Sequence, residues 1–318
     1  MSQTPSVTIV ILNWNNAPDT IECLESVAGL DYPNFQPLVV DNGSSDDSVT
    51  RIRQAQPTVA ILETGENLGY AEGNNVGLRQ AVENGADYVF VLNNDTLLEP
   101  TMLTKLVEVA ESSPDIGMVG PTMYCTDPAK KLFAAGSFVL WSQGKLNHRG
   151  MFELPGPYTQ AQTPEPVDFI VGCGVLVRRE LIERCGPLDP QYYLNFEDVE
   201  WGIRARRYGY QVLYVPPAVM WHKVSATLGQ ASAANTYYMT RNALLFFWKN
   251  GQGFAGWLAV LRILLHTSRT IGAWSLKSQY RNQTFRRKRS ANLMALRDFF
   301  QGRYGAMGSD VFHVCYDN

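Results

Sequence analysis

The amino-acid sequence predicts an α/β fold, in which a mostly parallel β-sheet is flanked by helices and followed by a helical C-terminal extension. Short apolar runs alternate with helical patterns over the first 120 residues, which is typical of successive βα units. A hydrophobic content of 45% in 318 residues is sufficient for a large buried core. From residue 235 to residue 305 the pattern is helical throughout, which indicates a helical region after the sheet.

The N-terminal part of the chain is expected to contain five strands and four helices. The apolar runs predict strands over residues 7–13, 37–41, 58–62, 87–92 and 116–120. The amphipathic segments between them predict helices over residues 17–28, 45–54, 71–84 and 99–112.

The middle of the chain interrupts this alternation. Residues 121–167 contain six prolines, which predicts loops with a short hairpin around FAAGSFVLW, an arrangement that commonly shapes a substrate cleft. The segment FIVGCGVLVRRELIERCG then predicts a strand and a helix, and EDVEWGIRARRYG predicts a helix that ends at Gly209. QVLYVP predicts one further strand.

The cysteines and the N-terminus indicate the compartment. The five cysteines form no CxxC pair and are odd in number, which argues against a disulfide framework and against a zinc ribbon. The N-terminus has no basic residues before its apolar run, so VTIVILN is expected to be the first core strand and not part of a secretory signal. We therefore expect a cytoplasmic protein, with a peripheral position at the inner face of the cell membrane as an open alternative.

Charge is distributed unevenly along the chain. The net charge is −3, but residues 262–318 hold ten Lys and Arg against three Asp and Glu, whereas residues 1–261 hold seventeen against twenty-seven. Such a split suggests an acidic catalytic body and a basic segment that contacts phosphate, in nucleic acid or at an anionic membrane.

The segment VFVLNNDT places Asp95 directly after an apolar strand. In α/β sheets ligands bind beyond the carboxyl ends of the strands, so Asp95 is a candidate for a metal or phosphate site. The alternative is a helix N-cap, because Thr96 and Glu99 have the spacing of a capping box.

Two further segments place polar residues at predicted strand ends. LVVDN puts Asp41 at a second strand end, where it is either a nucleoside contact or part of a well-capped turn. In ENLGYAEGNNVGL, Gly69 and Gly73 would let the backbone approach a ligand closely, unless they only serve packing.

Two more candidates lie in the second half of the chain. In FEDVEW, Asp198 lies between aromatic residues and could act as a general base, while the alternative is a solvated acidic first turn. His222 follows the strand QVLYVP and could complete a divalent metal site at the sheet edge, although a lone histidine is more often structural.

Together these segments resemble the inverting nucleotide-sugar glycosyltransferases of family 2, which have the GT-A fold with a Rossmann-like sheet. The resemblance covers roughly residues 5–250. Within the family, the NNDT and FEDVEW segments look most like those of bacterial rhamnosyltransferases that build surface polysaccharide. The matching segments, in order, are VTIVILNWNN, VVDNGSSDDS, ENLGYAEGNN, VFVLNNDT, GCGVLVRRELIERCGPLD, YYLNFEDVEWGIRARRYGYQV and WHKVSAT.

The resemblance implies a role for each matching position. Asp95 would hold Mg²⁺ or Mn²⁺ against the diphosphate, with His222 as a further metal ligand or diphosphate contact. Asp198 would be the catalytic base, with Glu197 beside it orienting a sugar. The donor nucleotide would be bound by Asn13, Asp41, Asn67, Gly69, Asn93 and Asn94. The acidic DxD triplet of many relatives is here Asn-Asn-Asp, with one charge, which predicts weaker metal binding.

The implied activity is transfer of a sugar with inversion, from dTDP-L-rhamnose or otherwise a UDP-hexose, to a glycan or lipid-linked acceptor. One alternative is a sugar-1-phosphate nucleotidyltransferase, but NWNNAPDT stands where that class has a Gly-rich basic loop. A second alternative is a non-catalytic protein that binds nucleotide-sugars. A dehydrogenase is disfavoured because GCG lacks the third glycine of the dinucleotide-binding motif. It also lies in the middle of the chain and not directly after the first strand.

The C-terminal residues 251–318 are expected to form a helical basic extension after a catalytic domain of residues 1–250. Residues 253–276 are apolar but contain Arg262, His266 and Arg269 on one helical face, so an amphipathic interfacial helix is favoured over a transmembrane helix. Docking on the catalytic domain or on a second subunit of a homo-oligomer remains an alternative. Nucleic-acid binding is disfavoured because the basic cluster lacks interleaved aromatic residues.

Overall fold

The computed structural model describes residues 4–127, 130–223 and 232–316. Most of the predicted WHKVSAT segment, residues 224–227, lies outside the described residues.

The described residues form a mixed α/β structure with additional C-terminal helices. The strands are β1 (Val7–Asn13), β2 (Phe35–Asp41), β3 (Ala60–Glu63), β4 (Tyr88–Asn93), β5 (Thr96–Leu98), β6 (Ile116–Cys125), β7 (Leu132–Ala134), β8 (Ser137–Leu140), β9 (Lys145–His148), β10 (Glu165–Pro166), β11 (Gly174–Arg178) and β12 (Gln211–His222). The helices are α1 (Ala17–Ala28), α2 (Ser48–Ala55), α3 (Gly69–Glu83), α4 (Met102–Glu111), α5 (Pro157–Gln160), α6 (Arg179–Cys185), α7 (Glu197–Arg207), α8 (Ala233–Asn250), α9 (Gly253–Leu276), α10 (Gln283–Phe300) and α11 (Ser309–Tyr316).

The main sheet is mostly parallel, as predicted. Its order is β10-β12-β6-β11-β4-β1-β2-β3, with β5 paired to β12 and β7 to β6. β1 lies parallel to both β2 and β4, whereas β11 is antiparallel to its neighbours β4 and β6. The central strands are apolar along nearly their whole length because helices cover both faces of such a sheet.

Parallel pairing brings three predicted site residues to one edge of the sheet. Asn13 is in register with Asp41, and Leu12 is in register with Asn93, so β1, β2 and β4 end side by side. Since the chain turns immediately after Asn93, the next polar residues lie at this carboxyl edge. This is the edge at which open α/β sheets bind ligands.

The short strand β5 decides the position of Asp95. β5 is antiparallel to the end of β12, with Thr96 in register with His222. The capping-box hypothesis for Thr96 and Glu99 is therefore wrong, because Thr96 belongs to a strand and α4 begins only at Met102. The Thr96 hydroxyl donates instead to the carbonyl of Asn93, at 2.7 Å.

The remaining predicted elements agree with the structure except at their ends. α1 has the predicted bounds, whereas α4 starts three residues late because residues 96–98 pair with β12. The hairpin predicted around FAAGSFVLW forms one strand later, between β8 and β9. α7 ends at Arg207, and Gly209 follows with a left-handed φ of +91°, as a C-terminal glycine should.

The chain divides into two compact units. The first contains residues up to 138, then 148–189 and 201–223, and its core is the main sheet with α1 to α4. The second contains residues 139–147, 190–200 and those from α8 onward, and has a core that includes Tyr237, Tyr238 and Ala291. The predicted division at residue 250 stays a prediction, because compactness does not test independent folding.

Every helix within the described residues, including those at the C-terminus, is too short or too polar to cross a bilayer.

Candidate active site

The ends of β1 and β2 hold a buried polar pair. Asn13 donates from Nδ2 to Asp41 Oδ1 at 2.7 Å, and both side chains are buried. Ser44 also bonds to Asp41: its hydroxyl donates to Asp41 Oδ1 at 2.6 Å, and its backbone N–H donates to Asp41 Oδ2 at 3.0 Å. The carboxylate of Asp41 is thus fixed in orientation at the sheet edge.

A chain of hydrogen bonds links this pair to the NNDT segment. Thr20, from the first turn of α1, donates to Asn13 Oδ1 at 2.7 Å, and Asn94 donates to the Thr20 hydroxyl at 2.9 Å. Thr20 is completely buried. Thr20 could not be recognised from the sequence, because a threonine within a helical pattern carries no signal of its partners.

The loop before α3 is held by Asn42, a residue that no sequence motif singled out. Asn42 donates from Nδ2 to Asn67 Oδ1 and to the carbonyl of Gly69, each at 3.1 Å, and accepts from the N–H of Leu68 at 3.0 Å. Asn67 and Gly69 therefore lie beside the end of β2. Gly73, in contrast, faces β1, where an added Cβ would lie 2.8 Å from Leu12, so its small size serves packing and not ligand approach.

Asp95 and His222 form the second polar group of this edge. The two side chains are only 6% and 8% exposed, and Asp95 Oδ1 lies 3.1 Å from His222 Nε2. The backbone is fixed here as well, since the N–H of Lys223 donates to the carbonyl of Asp95 at 2.9 Å. The ring of Phe133 packs edge-on against the imidazole, with 4.7 Å between ring centroids.

The atoms of this group suit a cation. Within the described residues, Asp95 Oδ1, His222 Nδ1 and Asn93 Oδ1 are buried and have no hydrogen-bond partner, although Asp95 Oδ1 and His222 Nε2 are near each other. Buried polar atoms normally have a hydrogen-bond partner or a bound ligand, so unpaired polar atoms at a ligand-binding edge indicate a ligand site. A carboxylate and an amide oxygen are suitable ligands for Mg²⁺ or Mn²⁺, and the additional imidazole favours the transition metal Mn²⁺.

The side chains alone do not complete a coordination sphere. No cluster of three or more His, Cys, Asp or Glu with metal-binding geometry occurs in the described ranges. Mg²⁺ in proteins is commonly held by one or two carboxylates together with substrate phosphates and waters. The residues at this edge therefore fit a metal that binds together with a phosphate ligand.

Glu197 and Asp198 begin α7 and belong to the second unit. Glu197 is 5% exposed, and its Oε2 has no hydrogen-bond partner in the described part of the chain. Burial, and then the nearby charge of Asp198, raise the pKa of Glu197 well above its ordinary range. Glu197 therefore holds its proton more strongly than an ordinary glutamate does, whereas Asp198 is partly exposed. A general base needs access to its proton donor, which favours Asp198 for that role.

Two known proteins with similar sequences are named as rhamnosyltransferases. The N-acetylglucosaminyl-diphospho-decaprenol L-rhamnosyltransferase of Mycobacterium tuberculosis is 28% identical over 280 residues, which cover 83% of this chain and 91% of that protein. The dTDP-rhamnosyl transferase RfbF of Shigella flexneri is 23% identical over 282 residues, which cover 85% and 90% of the two chains.

A solved structure with the same fold is the mannosyltransferase PcManGT of Pyrobaculum calidifontis, in complex with GDP-Man and Mn²⁺. It superposes with a TM-score of 0.58 at 18% sequence identity, covering 95% of this chain and 89% of that one. The likeness confirms the GT-A fold.

The family itself is shown by sequence. The model of glycosyl transferase family 2 matches residues 8–186, which is more than half of the chain. This match argues against the nucleotidyltransferase and dehydrogenase alternatives. The chain therefore belongs to glycosyl transferase family 2 and is a glycosyltransferase with the GT-A fold.

Proposed function

We propose that this protein transfers L-rhamnose from dTDP-L-rhamnose, or otherwise a hexose from a UDP-sugar, to a glycan or lipid-linked acceptor with inversion. The observation that carries the proposal is the buried pair of Asp95 and His222. It lies next to the hydrogen bonds that run from Asp41 through Asn13 and Thr20 to Asn94, the residue before Asp95. The rhamnosyltransferase names of two relatives support the choice of donor and of acceptor class.

The residues of the first unit would bind the donor. Asp41 and Asn13 would contact the base and nucleoside, Asn67 and Gly69 would lie along the nucleotide, and the NNDT segment would face the diphosphate. Asp95 and His222 would hold a divalent cation, with Asn93 and Asn94 as polar neighbours. When bound, such a cation offsets the negative charge on the departing diphosphate.

Asp198 would act as the base in one displacement. An acceptor hydroxyl oxygen attacks the anomeric carbon, its proton passes to the Asp198 carboxylate, and the bond from that carbon to the diphosphate oxygen breaks. Attack from the face opposite the leaving group inverts the anomeric configuration. Glu197, beside Asp198, would orient a sugar.

The acceptor is proposed to be presented at a membrane surface. The C-terminal helices expose four aromatic residues, which we call the exposed aromatic set. They are Trp248, Phe254, Trp257 and Phe300, with 64%, 73%, 57% and 69% of their surface accessible. Three of these four line, with other apolar side chains, an open pocket of about 380 Å³ within the second unit. Exposed clustered aromatic side chains mark an interaction surface, and the basic sequence RRKR of α10 favours an anionic one.

A donor screen tests the activity directly. The purified protein is incubated with Mn²⁺, a polyprenyl-diphosphate-linked N-acetylglucosamine and either dTDP-L-rhamnose or a UDP-hexose. We expect product with one donor class, with the anomeric configuration opposite to that of the donor by NMR. Retention of configuration would refute the single displacement, and transfer from neither donor would refute the proposed substrates.

Asp198→Asn is the matched variant for the catalytic base. The amide keeps the shape of the side chain but does not accept the proton, so we expect loss of transfer, by about 10²- to 10⁴-fold in kcat, with donor affinity preserved. Wild-type kcat in this variant would refute the assignment.

A further inference from the structure

The loop before Asp198 has an unusual backbone. Tyr193, Asn195 and Phe196 have φ values of 61°, 67° and 75°, in the left-handed region that residues other than glycine seldom adopt. Such conformations persist only where the surroundings enforce them, and they cluster at active sites. The same loop leads directly into Glu197 and Asp198 at the start of α7.

One side chain of α8, that of Asn242, bonds to the backbone of this loop at three carbonyls. Asn242 is completely buried, and its Nδ2 donates to the carbonyls of Tyr192, Leu194 and Asn195 at 2.7, 2.8 and 2.9 Å. One amide group has two N–H bonds, so the three carbonyls share them. Their convergence on one nitrogen requires the sharply turned backbone, since an extended segment points successive carbonyls in opposite directions.

Asn242 is itself fixed in orientation. Arg241 donates from Nε to Asn242 Oδ1 at 3.0 Å, which directs the amide nitrogen toward the loop. Arg241 is also completely buried, lies over the rings of Tyr237 and Tyr238, and donates to the carbonyl of Gly305 at 2.8 Å. The side chain that holds the loop is therefore part of a rigid network.

Aromatic packing adds to the same restraint. Tyr193 stacks on Tyr238 with 5.3 Å between centroids, and Phe196 packs on Phe246 at 5.8 Å. These contacts fix the side chains of the loop, whereas Asn242 bonds to three of its backbone carbonyls. The orientation of the backbone before Asp198 therefore depends on Asn242.

We propose that Asn242 is a positioning residue, which sets the place of the Asp198 carboxylate through the loop of residues 192–196. The proposal rests on the proposed role of Asp198 as base. It distinguishes Asn242 from a residue that only stabilises the fold, because its loss would lower kcat and leave donor binding unchanged. The donor residues assigned above all lie in the first unit, whereas Asn242 lies in the second.

The test uses Asn242→Asp and Asn242→Ser. Aspartate keeps the shape of asparagine but replaces the donating NH₂ group with an oxygen that faces three carbonyls. Serine retains one hydrogen-bond donor and is used if the aspartate variant does not fold. We expect kcat to fall about 10- to 100-fold, as for a misplaced catalytic group, with the donor KM within about twofold of wild type.

Thr240→Val is the matched control on the same helix. It removes the 2.7 Å hydrogen bond from Thr240 to Asn292 of α10 without touching the loop. We expect its melting temperature to fall while kcat stays at the wild-type value. A loss of kcat in Thr240→Val as large as in the Asn242 variants would overturn the proposal, because any weakening of α8 would then suffice.

A double variant separates this proposal from that for Asp198. If Asn242 acts through Asp198, adding Asn242→Ser to Asp198→Asn causes no further loss of kcat, because the group being positioned is already inactive. Full additivity of the two losses, or wild-type kcat in folded Asn242→Ser, overturns the positioning role while Asp198 keeps its own. Wild-type kcat in Asp198→Asn removes the base, and the positioning role with it.

Discussion

Asp95 is the only carboxylate of the NNDT segment, and its burial makes it a sensitive residue. We predict that Asp95→Asn lowers the affinity for Mn²⁺, measured by calorimetry in the presence of dTDP or UDP, by at least about tenfold. The reason is the loss of the anionic ligand, because Asp95 is the one carboxylate that we propose to hold the cation.

The matched control for this substitution is Asp115→Asn, an exposed aspartate of the first unit. It should bind Mn²⁺ as the wild type does. Equal Mn²⁺ affinity in Asp95→Asn and wild type would refute the metal role, whatever the effect on transfer.

Glu197 makes stability depend on pH. Its pKa is raised by burial and by Asp198, so between the ordinary pKa of a glutamate and this raised value the folded state retains a proton that the unfolded state has released. The free energy of unfolding therefore decreases as the pH rises through this window. We predict that Glu197→Gln has a higher melting temperature than wild type at pH 8, with the difference vanishing near pH 4.

Thermal unfolding between pH 4 and pH 8 measures this effect. Glu153→Gln, at an exposed position, is the control and should show no such widening difference. A Glu197→Gln variant with the same pH dependence as wild type would show that Glu197 is not held in its protonated form.

At the scale of elements, α3 packs on the sheet through glycine. A Cβ at Gly77 would lie 2.4 Å from Val10 of β1 and 3.0 Å from Val40 of β2. Gly77→Ala should therefore destabilise the protein, because overpacking costs about 1–3 kcal/mol and a better helix former returns at most about 1 kcal/mol.

Gly272 of α9 provides the opposite case. Nothing lies within 4 Å of its added Cβ, so Gly272→Ala should stabilise the protein by about 0.5–1 kcal/mol. Denaturant unfolding of Gly77→Ala and Gly272→Ala measures both changes in the free energy of unfolding. Stabilisation by Gly77→Ala would contradict the close packing of α3 on β1.

The elements of the first unit were largely predictable because periodicity reports them. The runs VTIVILN and YVFVLN are buried on both faces and became β1 and β4, and α1 has its predicted bounds. β5 was not predictable, because three residues carry no period and their pairing with β12 joins positions more than a hundred residues apart. The same absence of a local signal hid Thr20, Asn42 and Asn242.

At the scale of the whole molecule, the C-terminal helices are proposed to contact an anionic bilayer. We predict that the protein co-sediments with vesicles containing phosphatidylglycerol, more weakly at high salt, and that Phe254→Ser with Trp257→Ser reduces binding about tenfold. Each substitution removes an exposed aromatic side chain that would enter the interface.

Tyr208→Ser is the control for this experiment, because it removes a half-exposed aromatic residue of the first unit. Its vesicle binding should equal that of wild type. If the double variant binds vesicles as wild type does, the exposed aromatic set does not contact lipid.

The sequence by itself determined the α/β fold, the strands that carry Asn13, Asp41 and Asn93 to one edge, and the resemblance that family membership confirmed. These follow from hydrophobic periodicity and from ordered motifs, both of which are local. Only the tertiary structure decided that Asp95 faces His222 and is not a helix cap, and that Asn242 holds the loop before Asp198. Such contacts join residues distant in the chain, and their geometry is set by strand pairing and side-chain packing, which no local pattern encodes.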